Sequence, residues 1–298
     1  MDADLFPEAD VDVPTVDAAT LRERIDAGED VFVLDTRAPT EFDEWHIDGE
    51  SVEIVNVPYF DLLDGLDEET LEAVPEDREL VVLCAKGGAS EYVAGLLAES
   101  GHEVAHLAGG MNAWADLYEA DEVTRYDGLG TLVQYRRPSS GCLSYLVHDG
   151  EVGAVVDPLR AFADRYVEDA EALGIDLRYA FDTHVHADHL SGARSLADYG
   201  VEAIIPAPAA DRGLADEGTF TAATDGDVFA VGEVPVEALH TPGHTTGMTA
   251  YRIGSDALLT GDGLFVESVA RPDLEAGDDG APEAAEALYD SLQSVVLP

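Results

Sequence analysis

Residues 183–192 read THVHADHLSG, which places His184, His186, Asp188 and His189 within six residues of a chain that has nine histidines in all. Imidazole nitrogens and carboxylate oxygens are the donors that zinc and non-haem iron accept, and neighbouring positions supply several of them at low ordering cost. Just before this stretch, residues 177–181 (LRYAF) form a short apolar, aromatic run of strand character, and residues 190–199 after it carry a helical pattern. The histidines therefore belong on a strand-to-helix loop. Open α/β sheets gather ligands at the carboxyl ends of their strands, because the scaffold fixes such loops while leaving their side chains accessible. In extended backbone positions 184 and 186 point the same way. The competing reading is a solvated turn that is merely rich in histidine.

Two later loops repeat the arrangement. The apolar residues 236–240 run into TPGHTTG (241–247), where Pro242 and Gly243 hold a sharp bend and present His244. Residues 257–260 run into Gly261-Asp262-Gly263, a carboxylate at the tip of a strand halted by glycine. Alone, each reads as a turn former. Beside the histidine loop, they complete a metal site.

At 298 residues the chain is long enough for two domains, and 46% hydrophobic content is ample for packed cores. Its 63 acidic and 15 basic residues give a formal charge of −48, spread along the whole sequence. Such a surface repels nucleic acid and anionic membranes, which excludes both as partners. Self-repulsion on that scale works against a compact fold in dilute buffer, whereas 1 M salt shortens the Debye length to roughly 3 Å. The charge therefore reads as adaptation to a salt-rich cytoplasm, as in a halophile. Calcium loops do not explain it, because the alternating acidic loop with its Gly turn and distant Glu is missing. The first 14 residues have no basic start or apolar stretch, and no later segment approaches a membrane span, so the expectation is a cytoplasmic protein.

Two cysteines make no disulfide framework, in keeping with a reducing compartment. Cys142, in GCLSYLV, reads as a small core residue of a strand. Cys84 differs. It follows the buried-strand pattern of residues 79–83 and precedes a Gly-containing loop, 85–90, that opens onto the helical run EYVAGLLAES. A thiol there faces free backbone N–H groups and the positive end of a helix dipole, which stabilise a thiolate or persulfide anion. A buried, inert cysteine is the alternative.

From about Val13 to Tyr118 the chain resembles a rhodanese, the sulfur-transferase domain. The matches are FVLDTR (32–37), EFDEWHIDG (41–49), NVP (56–58), VLCAKGGAS (82–90) and HLAGGMNAW (106–114), in the family's order. The resemblance implies that Cys84 is the catalytic residue, carrying a sulfane sulfur as a persulfide, with Lys86, Gly87 and Gly88 in the loop that cradles it. It also shows a departure. Many rhodaneses have arginines right after the cysteine and later in the loop, where this chain has Ala85 and Ala89, so Lys86 is the loop's one cation. That leaves thiosulfate recognition open, with a persulfide carrier or an inactive domain as alternatives.

The composition changes near residues 120–128. Strand-like runs at TLVQY, CLSYLV, GAVVD, VPVEALH, MTAYRI and DALLT, with helical patterns at 161–173, 190–199 and 281–293, indicate layered α/β structure. The set HxHxDH, TPGHTTG and LLTGDGLF, preceded by VVDP, resembles the metallo-β-lactamase fold in its glyoxalase-II-like branch, from about Arg125 onward. The resemblance implies an αββα sandwich with metal at one edge. Fusion to a rhodanese, together with HADHLSGA and Arg271-Pro272-Asp273, is most similar to the persulfide dioxygenases, whose metal is a single iron. By that resemblance the ligands of one Fe(II) are His184, His244 and Asp262, with His186, Asp188 and His189 as second-shell or second-metal candidates, Asp157 orienting a ligand, and Arg271 a candidate for holding an anionic substrate, against the more ordinary role of a surface ion pair. The implied substrates are a low-molecular-weight persulfide and O2, the products sulfite and the parent thiol. A homodimer stays open.

The binuclear hydrolases of this fold complete their second site with a further histidine, and here none follows His244. Either the domain is C-terminally short or one metal is used. Three readings follow: the iron oxygenase, a zinc hydrolase of thioesters or lactones with the rhodanese as accessory, and a non-catalytic sulfur carrier or redox sensor working through Cys84. The expected domain plan is an acidic extension at 1–12, a rhodanese-like domain at 13–118, a linker at 119–128 and a metallo-β-lactamase domain at 129–298.

Overall fold

The computed structural model describes residues 11–186, 190–210 and 220–297. They fall into two units, divided between Leu117 and Tyr118 except that Arg137–Ser140 groups with the first.

The first unit is a five-stranded parallel sheet, β1 (Thr15–Val16), β2 (Val31–Asp35), β3 (Val52–Asn56), β4 (Leu80–Leu83) and β5 (Val104–Leu107), in the order β1-β5-β4-β2-β3. Its helices are α1 (Ala18–Asp26), α2 (Pro39–Glu44), α3 (Glu68–Ala73), α4 (Gly88–Glu99) and α5 (Gly110–Ala115). Both faces of a parallel sheet are covered, so the strands read as continuous apolar runs. The two-residue alternation still sorts them. Val31, Val33, Val81 and Leu83 pack with Leu21, Ile25, Met111 and Trp114 on one face, while Phe32, Leu34, Leu80 and Val82 pack with Val93, Ala94 and Leu97 on the other. The chain leaves β2 toward one edge and β4 toward the other, so the sheet reverses between them. That is where a doubly covered sheet opens a crevice at its carboxyl ends. Cys84 and the triplet Asp35-Thr36-Arg37 flank it.

The second unit holds two sheets. Seven strands, β6 (Glu119–Glu122), β7 (Thr131–Arg136), β8 (Leu143–His148), β9 (Val152–Val156), β10 (Asp176–Phe181), β11 (Glu202–Pro206) and β12 (Thr221–Ala223), lie in the order β12-β11-β10-β9-β8-β7-β6. Pairing is parallel from β9 to β12 and antiparallel from β6 to β9. Four antiparallel strands, β13 (Val228–Val231), β14 (Val234–His240), β15 (Thr249–Ile253) and β16 (Ala257–Leu259), make the other sheet. Val147, Ala154, Val156, Phe181 and Ile204 of the first meet Val234, Val236, Ala238, Tyr251 and Ile253 of the second in one apolar interior. On the first sheet's outer face, α6 (Ala163–Leu173) and α7 (Ala193–Ala197) bury Tyr166, Ala170 and Leu196 against Leu146, Val155 and Ala180. Cys142 is buried in that core, one residue ahead of β8. A short helix, α8 (Ala207–Ala210), and a long one, α9 (Asp273–Ser291), complete the unit.

Three expectations need correction. Residues 119–122, read as linker, form the edge strand β6. Its acidic sequence lacks strand propensity, and pairing comes instead from the ladder with β7 and from Arg136, whose guanidinium meets Glu119 at 2.6 Å. The helix expected at 190–199 is confined to α7, because residues 190–192 are tied to the strand-end loop: Leu190 O accepts from Arg160 N, and Gly192 N donates to Pro158 O. Finally, α9 begins at Asp273 rather than near 281. Gly277, at φ 67°, kinks it, and Gly280 and Pro282 disguise the first turns in the sequence. No helix among the described residues is long and apolar enough to cross a membrane.

Candidate active site

Three loops bring the metal candidates together. His184 follows β10 by three residues, His244 sits between β14 and β15, and Asp262 follows β16. Their ligand atoms all lie within 4.8 Å of one another. His184 Nε2 is 3.7 Å and His244 Nε2 3.6 Å from Asp262 Oδ2, and the imidazole planes meet at 82°. Both rings are buried, with side chains 1% and 5% exposed, whereas Asp262 is 41% exposed. The group is thus walled by the histidines and open on the carboxylate side.

The second ring nitrogens are committed to the protein. His244 Nδ1 lies 3.1 Å from Arg271 O. A carbonyl only accepts, so Nδ1 carries the proton and Nε2 of the neutral ring presents its lone pair toward Asp262. His184 Nδ1 lies 2.9 Å from Thr183 Oγ1. Two such nitrogens and a carboxylate are the donor set of a two-histidine, one-carboxylate face, and they fit a divalent iron or zinc ion.

Glycines make the convergence sterically possible. Gly261, at φ 50°, passes so close to Thr183 that a Cβ would stand 2.4 Å from Thr183 Oγ1 and 2.5 Å from Met248 Cε. A Cβ at Gly243, at φ 142°, would fall 2.4 Å from Leu288 Cα of α9. Ser291 Oγ donates to Pro242 O at 2.8 Å, fastening the His244 loop to the same helix.

His186 does not join His184, although the alternation of a strand would point both the same way. Past Phe181 the backbone leaves the β ladder, and His186 forms a second group with Asp157 and Asp182. Its Nε2 is 3.1 Å from Asp157 Oδ1 and 3.9 Å from Asp182 Oδ1. Asp157 alone among the described non-glycine residues has a left-handed backbone, at φ 53°. Strain of that kind persists where surrounding structure enforces it and concentrates at functional sites. Burial acts to push the Asp157 carboxyl upward, but the attraction of His186 and the hydrogen bonds from His186 and the Thr183 amide outweigh it, holding the group below its ordinary value. Asp182 was not foreseen from the sequence. Its one signal is its place directly after a strand. Asp188 and His189 lie outside the described residues.

Arg271 makes the surface ion pair that competes with a substrate role in the sequence. Its guanidinium, 70% exposed, pairs with Asp273 at 2.6 Å, and the contribution to the site is its backbone carbonyl on His244. An arginine two residues before an aspartate in a turn finds that partner locally, which satisfies its planar fork.

In the first unit Cys84 is buried, 5% exposed, and its Sγ accepts the Gly87 N–H at 3.0 Å. Gly87, at φ 102°, starts α4 from a left-handed position that turns its amide back to the sulfur. Gly110 is needed beneath, because a Cβ there would meet Cys84 O at 2.1 Å, and Met111 N donates to that same carbonyl at 2.8 Å. Lys86 is exposed. Beside the cysteine strand, Arg37 forms a buried ion pair with Asp35 at 2.6 Å and also donates to Trp45 O. Both the amide and the hydroxyl of Thr36 donate to Leu83 O.

The chain matches two family models, the Rhodanese-like domain over residues 17–117 and the Metallo-beta-lactamase superfamily over residues 138–298. It belongs to the metallo-beta-lactamase superfamily. An N-terminal rhodanese domain precedes the superfamily domain. Among curated relatives, the mitochondrial persulfide dioxygenase ETHE1 of Bos taurus is 30% identical over 184 residues, covering 59% of this chain and 67% of that protein. The human protein of the same name is 30% identical over 172 residues, and the chain spans 63% of its length. The probable hydroxyacylglutathione hydrolase glo2 of Schizosaccharomyces pombe is 35% identical over 126 residues, 41% of this chain and 47% of that one. Among solved structures, a metallo-beta-lactamase from Staphylococcus aureus aligns with a TM-score of 0.52 at 24% identity, over 56% of this chain and 52% of that one. That likeness concerns the fold. Homologues of both kinds make the chain a metalloenzyme of the superfamily.

Proposed function

We propose that the chain oxidises a low-molecular-weight persulfide with O2 at one non-haem iron held by His184, His244 and Asp262. The balanced reaction is RSSH + O2 + H2O → RSH + SO3²⁻ + 2 H⁺, in which the terminal sulfur gives four electrons to O2. The observation that carries the reading is the three-donor face itself, with both Nε2 atoms turned to one carboxylate oxygen. Bound there, iron(II) would supply the electron-transfer chemistry that O2 requires, with coordination positions left for substrate. The chain's own residues do the rest. The buried histidines exclude water from two sides of the group, the Arg271 carbonyl holds the His244 ring, and the exposed side of Asp262 leaves an approach for an anionic sulfur.

Cys84, in this reading, exchanges sulfane sulfur with the soluble persulfide, its Sγ negative charge stabilised by the Gly87 amide. The bovine relative's name supports the assignment to persulfide chemistry. The second group, Asp157, Asp182 and His186, favours a rival, a zinc hydrolase of thioesters with two metals. Oxygen-electrode measurements on protein purified in high salt with iron retained separate the two. The proposal expects O2 uptake matched by sulfite release on adding a low-molecular-weight persulfide. Thioester cleavage without O2 uptake would overturn it.

A further inference from the structure

We infer that Thr183 is a positioning residue for the metal, its hydroxyl fixing which nitrogen of His184 faces the ion. The inference rests on His184 being a ligand. A threonine hydroxyl has one proton to give, and here two atoms stand at hydrogen-bond distance from it, Asp157 Oδ2 and His184 Nδ1, each at 2.9 Å. A carboxylate only accepts, so the proton goes to Asp157. The oxygen is then left with a lone pair facing Nδ1, and the ring must donate to it. A neutral imidazole has a single N–H, and placing it on Nδ1 leaves the lone pair on Nε2, the atom turned to Asp262.

Each neighbour of the hydroxyl is held so that this is the arrangement available. Thr183 is fully buried, so no bulk water competes for its hydroxyl. Its own amide donates to Asp157 Oδ1 at 2.7 Å, which aligns the other carboxylate oxygen with the hydroxyl. The left-handed backbone at Asp157 aims that carboxylate, and Phe181 O accepts the Asp157 amide at 2.7 Å. Thr183 O in turn accepts Thr249 N at 2.8 Å, tying the residue to the strand that follows His244. Gly261 completes the fit, since any side chain there would occupy the place of the hydroxyl. Asp157 therefore serves both groups, through Thr183 to His184 by one oxygen and directly to His186 by the other.

The test is Co(II) binding by the metal-free full chain, followed by competition titration and by the visible spectrum of the bound ion. Removing the outer partner of a metal-bound histidine typically weakens metal affinity 10- to 100-fold. Thr183→Val, which keeps the shape and loses the oxygen, is expected to fall in that range, while Thr183→Ser stays near the parent. Should the valine variant fail to fold, Thr183→Ala against Thr183→Ser makes the same comparison, because that pair differs by one oxygen. Equal affinity in the variants with and without the hydroxyl overturns the inference, whether both match the parent or both weaken alike. A His184→Ala chain that binds Co(II) like the parent would instead remove the ligand assignment beneath it.

Discussion

Cys84 and His184 occupy the same kind of place, just past the carboxyl end of an inner parallel strand, yet the two regions build their chemistry in opposite ways. The thiol depends on one short stretch. Its partner amide is three residues away, and the glycine beneath it admits the backbone rather than contributing a group. The metal group is assembled from loops 60 and 18 residues apart along the chain, at positions 184, 244 and 262, and closes only when the two sheets of the sandwich pack together. Local chemistry of the first sort tolerates change elsewhere in the fold. Convergent chemistry of the second sort inherits every error in sheet packing.

The largest expected difference between the regions is functional. His184→Ala removes one of the three proposed metal donors, and persulfide-dependent O2 uptake should fall by more than the roughly 100-fold that losing an outer partner can cause. Cys84→Ala should leave uptake of a soluble persulfide within a few-fold of the parent. If the cysteine variant loses O2 uptake and the histidine variant keeps it, the sensor or carrier reading takes over. Sulfur exchange, followed with the same persulfide, should show the reverse pattern.

Stability sharpens the contrast next. In the first unit Arg37→Ala leaves the fully buried Asp35 carboxylate without its ion-pair partner, at a cost of about 3–5 kcal/mol, and also strips Trp45 O of a donor. Urea unfolding followed by the first unit's tryptophans, Trp45 and Trp114, measures it; an unchanged midpoint would mean the pair is dispensable. In the second unit Gly261→Ala imposes both a left-handed alanine and the clash with Thr183 and Met248, about 1–3 kcal/mol. That substitution should also lower Co(II) affinity, which Arg37→Ala should not.

Much of what brings the candidate residues together was legible in short words of sequence, because CAKGG, THVH, TPGH and TGDG each end a recognisable strand and each brings its own turn residues. What was not legible is what depends on partners distant in sequence. Asp182 and the hydroxyl of Thr183 gain their meaning from Asp157, some 25 residues away, and from a backbone angle at Asp157 that no composition reveals. The separation of His186 from His184 follows from where the ladder to β11 stops, which alternation alone cannot show. The buried Asp35–Arg37 pair lies within a quoted motif, but burial is a property of the folded sheet. Strand β6 hid in acidic sequence for the same reason: its pairing comes from β7.

The smallest expected effect concerns pH. Hydrogen bonds from the amides of Val152, Glu151 and Glu233 lower Asp149 to about 2, and these bonds clamp the β8–β9 turn to the β13–β14 turn, one from each sheet. A carboxyl depressed in the folded state contributes stability above its unfolded value, near 3.9, and that contribution disappears as pH falls toward 2. Parent and Asp149→Asn should therefore differ at pH 6 and converge between about pH 4 and 2. A constant difference would place the effect elsewhere. Salt gives a companion check on the −48 charge: the unfolding midpoint should rise with KCl into the molar range, and a best value in dilute buffer would contradict screening as its cause.

The central claim is that one group, His184 with His244 and Asp262, holds one metal, while His186 stays with its carboxylates. Metal analysis of the parent and of His186→Ala, both purified in high salt with iron present, tests it most directly. The account predicts one iron per chain in each. Two metals per parent chain, or stoichiometric zinc, or loss of half the metal on removing His186, would contradict it.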